Sequence, residues 1–190
     1  NLVKIVKNLR NKIIDLGGTV LFEHQLTDII VKDNKVVKII AGDEFDQTII
    51  KYIKKTYSIL IGERTAEIAK RTIGCVYPRY EEIAMEIKGR SLITGLPAKV
   101  TVTSSEMLDA LSEPAMEIVY GVKNVLEQTP PEILGDIITN GILFTGSGSL
   151  LYGLDKLVSH STGIKVRIAE NPGQCVAIGT GRSLSHLEMI

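Results

Sequence analysis

The stretch Ile142-Leu143-Phe144-Thr145-Gly146-Ser147-Gly148-Ser149 constrains this chain more than any other. So short an apolar run suits a buried strand. The glycines behind it let the backbone turn sharply and bring bare N–H groups close to a ligand. Leu150, Leu151, Leu154, Leu157 and Val158 then recur at helical spacing, so the turn is expected to open straight into a helix. Strand, turn and helix in that order argue for an α/β fold. The spacing excludes two phosphate loops. The third glycine of a dinucleotide fingerprint would stand where Leu151 is, and no Lys-Ser/Thr pair follows as in a Walker A loop. The plain alternative is a tight connection that binds nothing.

The rest of the chain alternates helical and strand signals. Leu2, Ile5, Val6, Leu9, Ile13 and Leu16 share one helical face, and Gly17-Gly18 stops that helix. Thr19 to Phe22 reads as a short strand. Leu26 to Val31 and Val36 to Ile40 flank the turn Lys32-Asp33-Asn34-Lys35, as in a hairpin. Asp43 is placed to cap a helix carrying Phe45, Ile49, Ile50, Ile53 and Tyr57 on one side. A second helix runs from about Glu63 to Gly74. Ile83, Met85 and Ile87, then Val100 and Val102, alternate with polar neighbours as half-exposed strands do. Thr103 and Glu106 have capping-box spacing, and Pro114 is expected to kink or restart the helix they open. Ile118, Val119, Val122, Val125 and Leu126 continue its stripe. Pro130-Pro131 begins another helix. Lys165 to Ala169 reads as a strand, Asn171-Pro172-Gly173 as a turn and Val176 to Leu184 as a helix.

Composition narrows the function classes. Lys plus Arg and Asp plus Glu are both 22, so a basic surface for nucleic acid is not indicated. The basic run Lys51-Tyr52-Ile53-Lys54-Lys55 is the wet face of an amphipathic helix. Cys75 and Cys175 form no C-x-x-C pair and read as packed thiols. His24, His160 and His186 lie in separate elements without metal-ligand spacing. No apolar run approaches the ~20 residues that span a bilayer. In Glu63-Arg64-Thr65-Ala66-Glu67-Ile68-Ala69-Lys70-Arg71, Glu67 and Lys70 stand three apart on one helix face. They are placed either to meet a purine or ribose edge or to form a solvated pair.

Several segments, in order and spacing, resemble the C-terminal half of the MreB/Mbl family of bacterial actins over residues 41 to about 187. They include Ala41-Gly42-Asp43-Glu44-Phe45-Asp46, Ile61-Gly62-Glu63-Arg64-Thr65-Ala66-Glu67, Lys88-Gly89-Arg90 and Thr94-Gly95-Leu96-Pro97. Gln128-Thr129-Pro130-Pro131-Glu132, Thr145 to Leu151, Thr162-Gly163-Ile164, Ala169-Glu170-Asn171-Pro172 and Cys175 to Gly181 continue the series. The resemblance implies an α/β, actin-like ATPase domain of the ribonuclease H-like type, its second half only, with a smaller lobe at about 75–112. It implies ATP as ligand, with adenosine contacts on Glu67, Ile68, Ala69, Lys70, Gly146, Ser147, Gly148 and Ser149, and Gly42 near the ribose. Mg²⁺ and the phosphate loops are expected only with the other half, so no catalytic residue is assigned and ATP hydrolysis by these residues alone is not expected. Other protomers of a filament and the cell-wall elongation machinery are the implied partners, in the cytoplasm, with membrane contact only indirect and no nucleic acid. The chain departs from the family at Ser147 and Ser149, where the loop usually has glycine and alanine, and at Ile68, where the helix is usually polar. Ser147 adds a Cβ where a ligand would approach.

Residues 1–40 stand apart in this reading as an appended helix and hairpin. Their order resembles an internal piece of an FAD-dependent oxidoreductase, but carries no dinucleotide fingerprint. A flavin-dependent oxidoreductase fragment and a non-catalytic interaction module are the alternative readings.

Overall fold

The computed structural model describes residues 26–32, 35–41, 43–175 and 177–179. The expected helix at 2–16, the strand at 19–22, the turn residues Asp33 and Asn34, Gly42, His24 and His186 lie outside the described residues. So does most of the helix expected at 176–184, of which 177–179 are helical.

β1 (Leu26–Lys32) and β2 (Lys35–Ala41) form the expected antiparallel hairpin. α1 (Asp43–Tyr57) follows, with Asp43 as its first helical residue. Phe45, Ile49 and Ile53 recur every four residues and are buried together. Next come β3 (Ile59–Leu60) and α2 (Glu63–Thr72), which turns Ala66 and Ala69 inward. β4 (Ala84–Ser91) and β5 (Pro97–Thr103) complete an antiparallel sheet in the order β3-β4-β5. Ile87 pairs with Val100 and Met85 with Val102, so one face of both strands meets the core. At Gly89 a Cβ would stand 2.5 Å from the Ile59 side chain and the Leu60 carbonyl, so only glycine lets β3 lie this close.

α3 (Ser104–Glu127) supplies Met107, Leu111, Ala115 and Ile118 to the same core. It runs unbroken through Pro114, so of the kink or restart expected there the restart does not occur. Pro114 is buried, and the residues packed on both sides of it hold the helix together despite the missing N–H. α4 (Pro131–Asn140) starts at the second proline, as expected, and buries none of its residues. β6 (Ile142–Phe144) pairs in parallel with β7 (Val166–Ile168), the two linked by a 3₁₀ turn (Ser147–Leu150) and α5 (Leu154–Thr162). α5 therefore begins at Leu154, four residues later than the leucine spacing suggests. Gly153 takes the left-handed conformation and ends the turn, while Leu151 and Leu154 still reach the core.

The N-terminus of α3 is a polar hub. Thr103 N–H donates to Glu106 Oε2 at 2.8 Å, and Glu106 N–H donates to Thr103 Oγ1 at 3.4 Å, which is the capping box read from the sequence. The hydroxyls of Tyr52 (3.2 Å) and Tyr57 on α1 donate to the same carboxylate. Burial opposes ionisation of Glu106, but the hydrogen bonds from Tyr57, Thr103 and Tyr52 outweigh it and hold the carboxyl below its usual range. The hydrogen bond to Glu106, then burial, pushes the Tyr57 phenol up to about 12.

Thr103→Ala is expected to cost about 1 kcal/mol, read as a lower urea midpoint at unchanged slope. The lowered Glu106 pKa contributes stability above the ordinary value of 4.5 that is lost as pH falls through the folded value. Glu106→Gln is therefore expected to flatten the fall in stability below pH 4.5, measured by denaturant unfolding across a pH series. An acid limb equally steep in the variant would contradict this.

Candidate functional site

The Gly-rich turn is shaped by hydrogen bonds within its own backbone. Gly146 sits at φ 83°, ψ 157°, a region essentially reserved for glycine. Its N–H donates to the Pro172 carbonyl at 2.7 Å, which ties the turn to the 3₁₀ turn Pro172–Gln174 after β7. Its carbonyl accepts from the Ser149 hydroxyl at 2.7 Å and the Ser149 N–H at 3.2 Å. Gly148 has no positive φ, and its carbonyl accepts from Leu151 N–H at 3.1 Å. The bare backbone from Gly146 to Gly148 is partly open to solvent.

The two serines take different roles. Ser149 is 4% exposed and its hydroxyl is spent inside the loop, where it shapes the turn. Ser147 is half-buried, and its Oγ lies 2.9 Å from where a Cβ on Gly173 would be. The side chain expected to stand in a ligand's approach is instead turned against the neighbouring Asn171-Pro172-Gly173 turn.

The four candidate positions on α2 separate in the same way. Ala69 is fully buried and holds the helix to the core. Lys70 Nζ stands 2.9 Å from Asp46 Oδ2 on α1 and fixes the two helices together. Glu67 pairs with Arg71 at 2.7 Å, one turn along, rather than sharing a site with Lys70. Ile68 is exposed, an apolar side chain on the open face of the helix.

The two stretches meet just beyond the C-terminal end of α2. Cys75 and Tyr152 form an isolated parallel bridge, and Val76 N–H donates to the Tyr152 carbonyl at 3.0 Å. Arg79 lies 4.0 Å over the Tyr152 ring and donates from Nη2 to the Gly74 carbonyl at 3.1 Å. A Cβ on Gly153 would fall 2.3 Å from Tyr77 Cβ. Tyr77, Arg79, Tyr152 and Gly153 carry no local sequence pattern that marks this contact, because it joins residues far apart in the chain. Burial pushes the Cys75 thiol up despite Arg79, and the residue packs in the core with its thiol donating to the Ser104 carbonyl at 3.0 Å. Cys175 is only partly covered. Among the described residues no three His, Cys, Asp or Glu side chains stand together as metal ligands, and no helix is long and apolar enough to cross a membrane.

Half of an actin-like fold is what these elements define. A profile of the MreB/Mbl protein family matches residues 3–190, and the chain belongs to that family. It is 44% identical over 182 residues to the cell shape-determining protein Mbl of Bacillus cereus, covering 95% of this chain and 54% of that one. It is 42% identical over 179 residues to the cell shape-determining protein MreB of Escherichia coli, covering 93% and 51%. MreB5 of Spiroplasma citri, solved with ADP, superposes with a TM-score of 0.74 at 33% identity, over 83% of this chain and 50% of that one. The form bound to AMPPNP gives 0.76 over 85% and 50%. The chain spans about half the length of the curated relatives it matches.

The matched span takes in residues 3–40 as well as the actin-like segments that follow.

Gly153→Ala is expected to destabilise the chain by more than about 1 kcal/mol, since the backbone is left-handed and Tyr77 fills the space. For a chain of this length that is a drop of roughly 2–4 °C or more in Tm by calorimetry. Gly163→Ala, with the same backbone but open space, should lose less.

Proposed function

We propose that these residues form the adenosine-side wall of an ATP site in a filament-forming, cell shape-determining cytoskeletal protein. The observation that carries this is the Gly146–Gly148 backbone, held in a glycine-only turn and joined to the end of α2 through Tyr152 and Cys75. The likeness to MreB5 bound to ADP and to AMPPNP supports a nucleotide as the ligand. The names of the Mbl and MreB relatives support the cell-shape role.

In this reading the backbone of Gly146, Ser147 and Gly148 offers close approach without side chains in the way. Glu67 and Ile68 line the open face of α2. Lys70, through Asp46, sets the position of that helix, and Ser149 sets the curve of the loop. ATP, when bound, would supply the phosphate chemistry, and Mg²⁺ is expected only together with the other half of the fold. The partners are further protomers of the same filament and, by family likeness, the cell-wall elongation machinery, in the cytoplasm and with only indirect membrane contact.

One wall leaves most of a nucleotide in water, so calorimetric titration with ATP is expected to give a Kd of about 1 mM. Gly148→Val adds bulk without backbone strain and should weaken binding at least about tenfold, or 1.4 kcal/mol. Equal affinity for the variant and the unaltered chain would sink the proposal.

A further inference from the structure

A cleft of about 410 Å³ opens beside α5 and β7, lined by Asp155, Lys156, Ser159, His160 and Val166. None of the residues assigned to the nucleotide wall lines it. Its polar groups fall into two rows. Asp155 and Ser159 stand one helical turn apart, and so do Lys156 and His160. The first row offers a carboxylate and a hydroxyl, the second an ammonium and an imidazole. Val166 adds an apolar spot from β7.

Two tyrosines hold the second row in place. Lys156 Nζ lies 5.1 Å from the centre of the Tyr152 ring. The His160 ring meets Tyr77 edge-on, with ring centres 6.5 Å apart. Arg79 stands 4.0 Å over the same Tyr152 ring, so two cations gather at this end of the cleft. Among the described residues, Asp155 and Lys156 form no ion pair with each other or with any other group, and the Ser159 hydroxyl makes no hydrogen bond.

Opposite charges that line one cleft without meeting each other are complementary to a ligand that carries both. A purely anionic ligand would be opposed by Asp155, and a purely cationic one by Lys156 and Arg79. A cleft of this volume holds a small molecule, whose orientation a few polar groups can fix. We propose that it binds a small zwitterion of the amino-acid class. The ligand's carboxylate meets Lys156 and His160, its ammonium meets Asp155 and Ser159, and its apolar part lies against Val166. This site goes beyond the nucleotide reading and does not depend on it. A free amino acid and a dipeptide share the chemistry and differ in how far apart they hold their charges.

The test is an amide chemical-shift titration of the full chain with leucine and with glycyl-leucine. At least one probe should shift the amides of residues 155–160 and 166 saturably, with a Kd of about 1 mM. The tighter of the two names the source. Acetylating the amine of that probe, or amidating its carboxylate, should each weaken binding at least tenfold. Asp155→Asn should abolish the preference for the free amine, and Lys156→Met the preference for the free carboxylate. The comparison of free and blocked probes needs no variant, so it decides the matter even if Asp155→Asn, in the first turn of α5, does not fold.

No saturable shift with either probe overturns the proposal. So does a blocked probe that binds as well as the free one, or a folded variant that discriminates between them as the unaltered chain does. If ATP displaces the zwitterion from these amides, the cleft belongs to the nucleotide wall, and the proposal fails while that wall stands.

Discussion

The bridge between Cys75 and Tyr152 is the constraint on which the candidate site depends. The chain leaves α2 at Ile73-Gly74 and is at once paired, in parallel, with the segment that leaves the Gly-rich turn. Leu151 and Leu154 drop into the core that already holds Ile49, Ile53 and Leu111, so the bridge is backed by apolar burial as well as by a hydrogen bond. The space beside Tyr77 admits only a glycine at position 153, and the left-handed turn there delays α5. Two motifs about eighty residues apart in sequence are thereby held in a fixed relation.

Most polar side chains near the candidate site are already engaged within the chain. Ser149 closes the turn on itself, Lys70 reaches Asp46, Glu67 reaches Arg71, and the Tyr52, Tyr57 and Glu106 cluster joins α1 to the start of α3. What remains open is backbone at Gly146 to Gly148 and the outer side of α2. In the proposed reading, such a surface would meet a ligand by shape and close backbone approach more than by charged side chains. The curve of the turn is set by the hydrogen bonds of Gly146 and Ser149.

The charge pattern belongs to a different level of organisation. A zero net charge conceals a basic hairpin tip and a stretch from residue 124 to 155 that holds acids and no bases. Neither is spent on folding, since Ile93 and Ile133 are both left in solvent. Fold and surface thus draw on separate residues: the core on Phe45, Ile49, Met107 and Leu111, the exposed patches on side chains that the core does not need.

Local pattern alone determined much of this protein. The four-residue recurrence of Phe45, Ile49 and Ile53, the alternation through Ile87 and Val102, the Thr103–Glu106 capping box and the proline start of α4 all reappear in the structure, because each is an interaction between residues close in sequence. The succession of short motifs also carried the family. Tertiary structure decided what those patterns could not. Pro114 stays inside α3 because its neighbours are packed on both sides. Leu150 and Leu151 stop short of α5, where Tyr152 forms an isolated bridge with the distant Cys75 and Gly153 turns left-handed. Ala69 and Ser149 are withdrawn from the candidate surface, and Ser147 turns toward Gly173, because long-range packing, and not spacing along the chain, decides which atoms of a motif meet solvent.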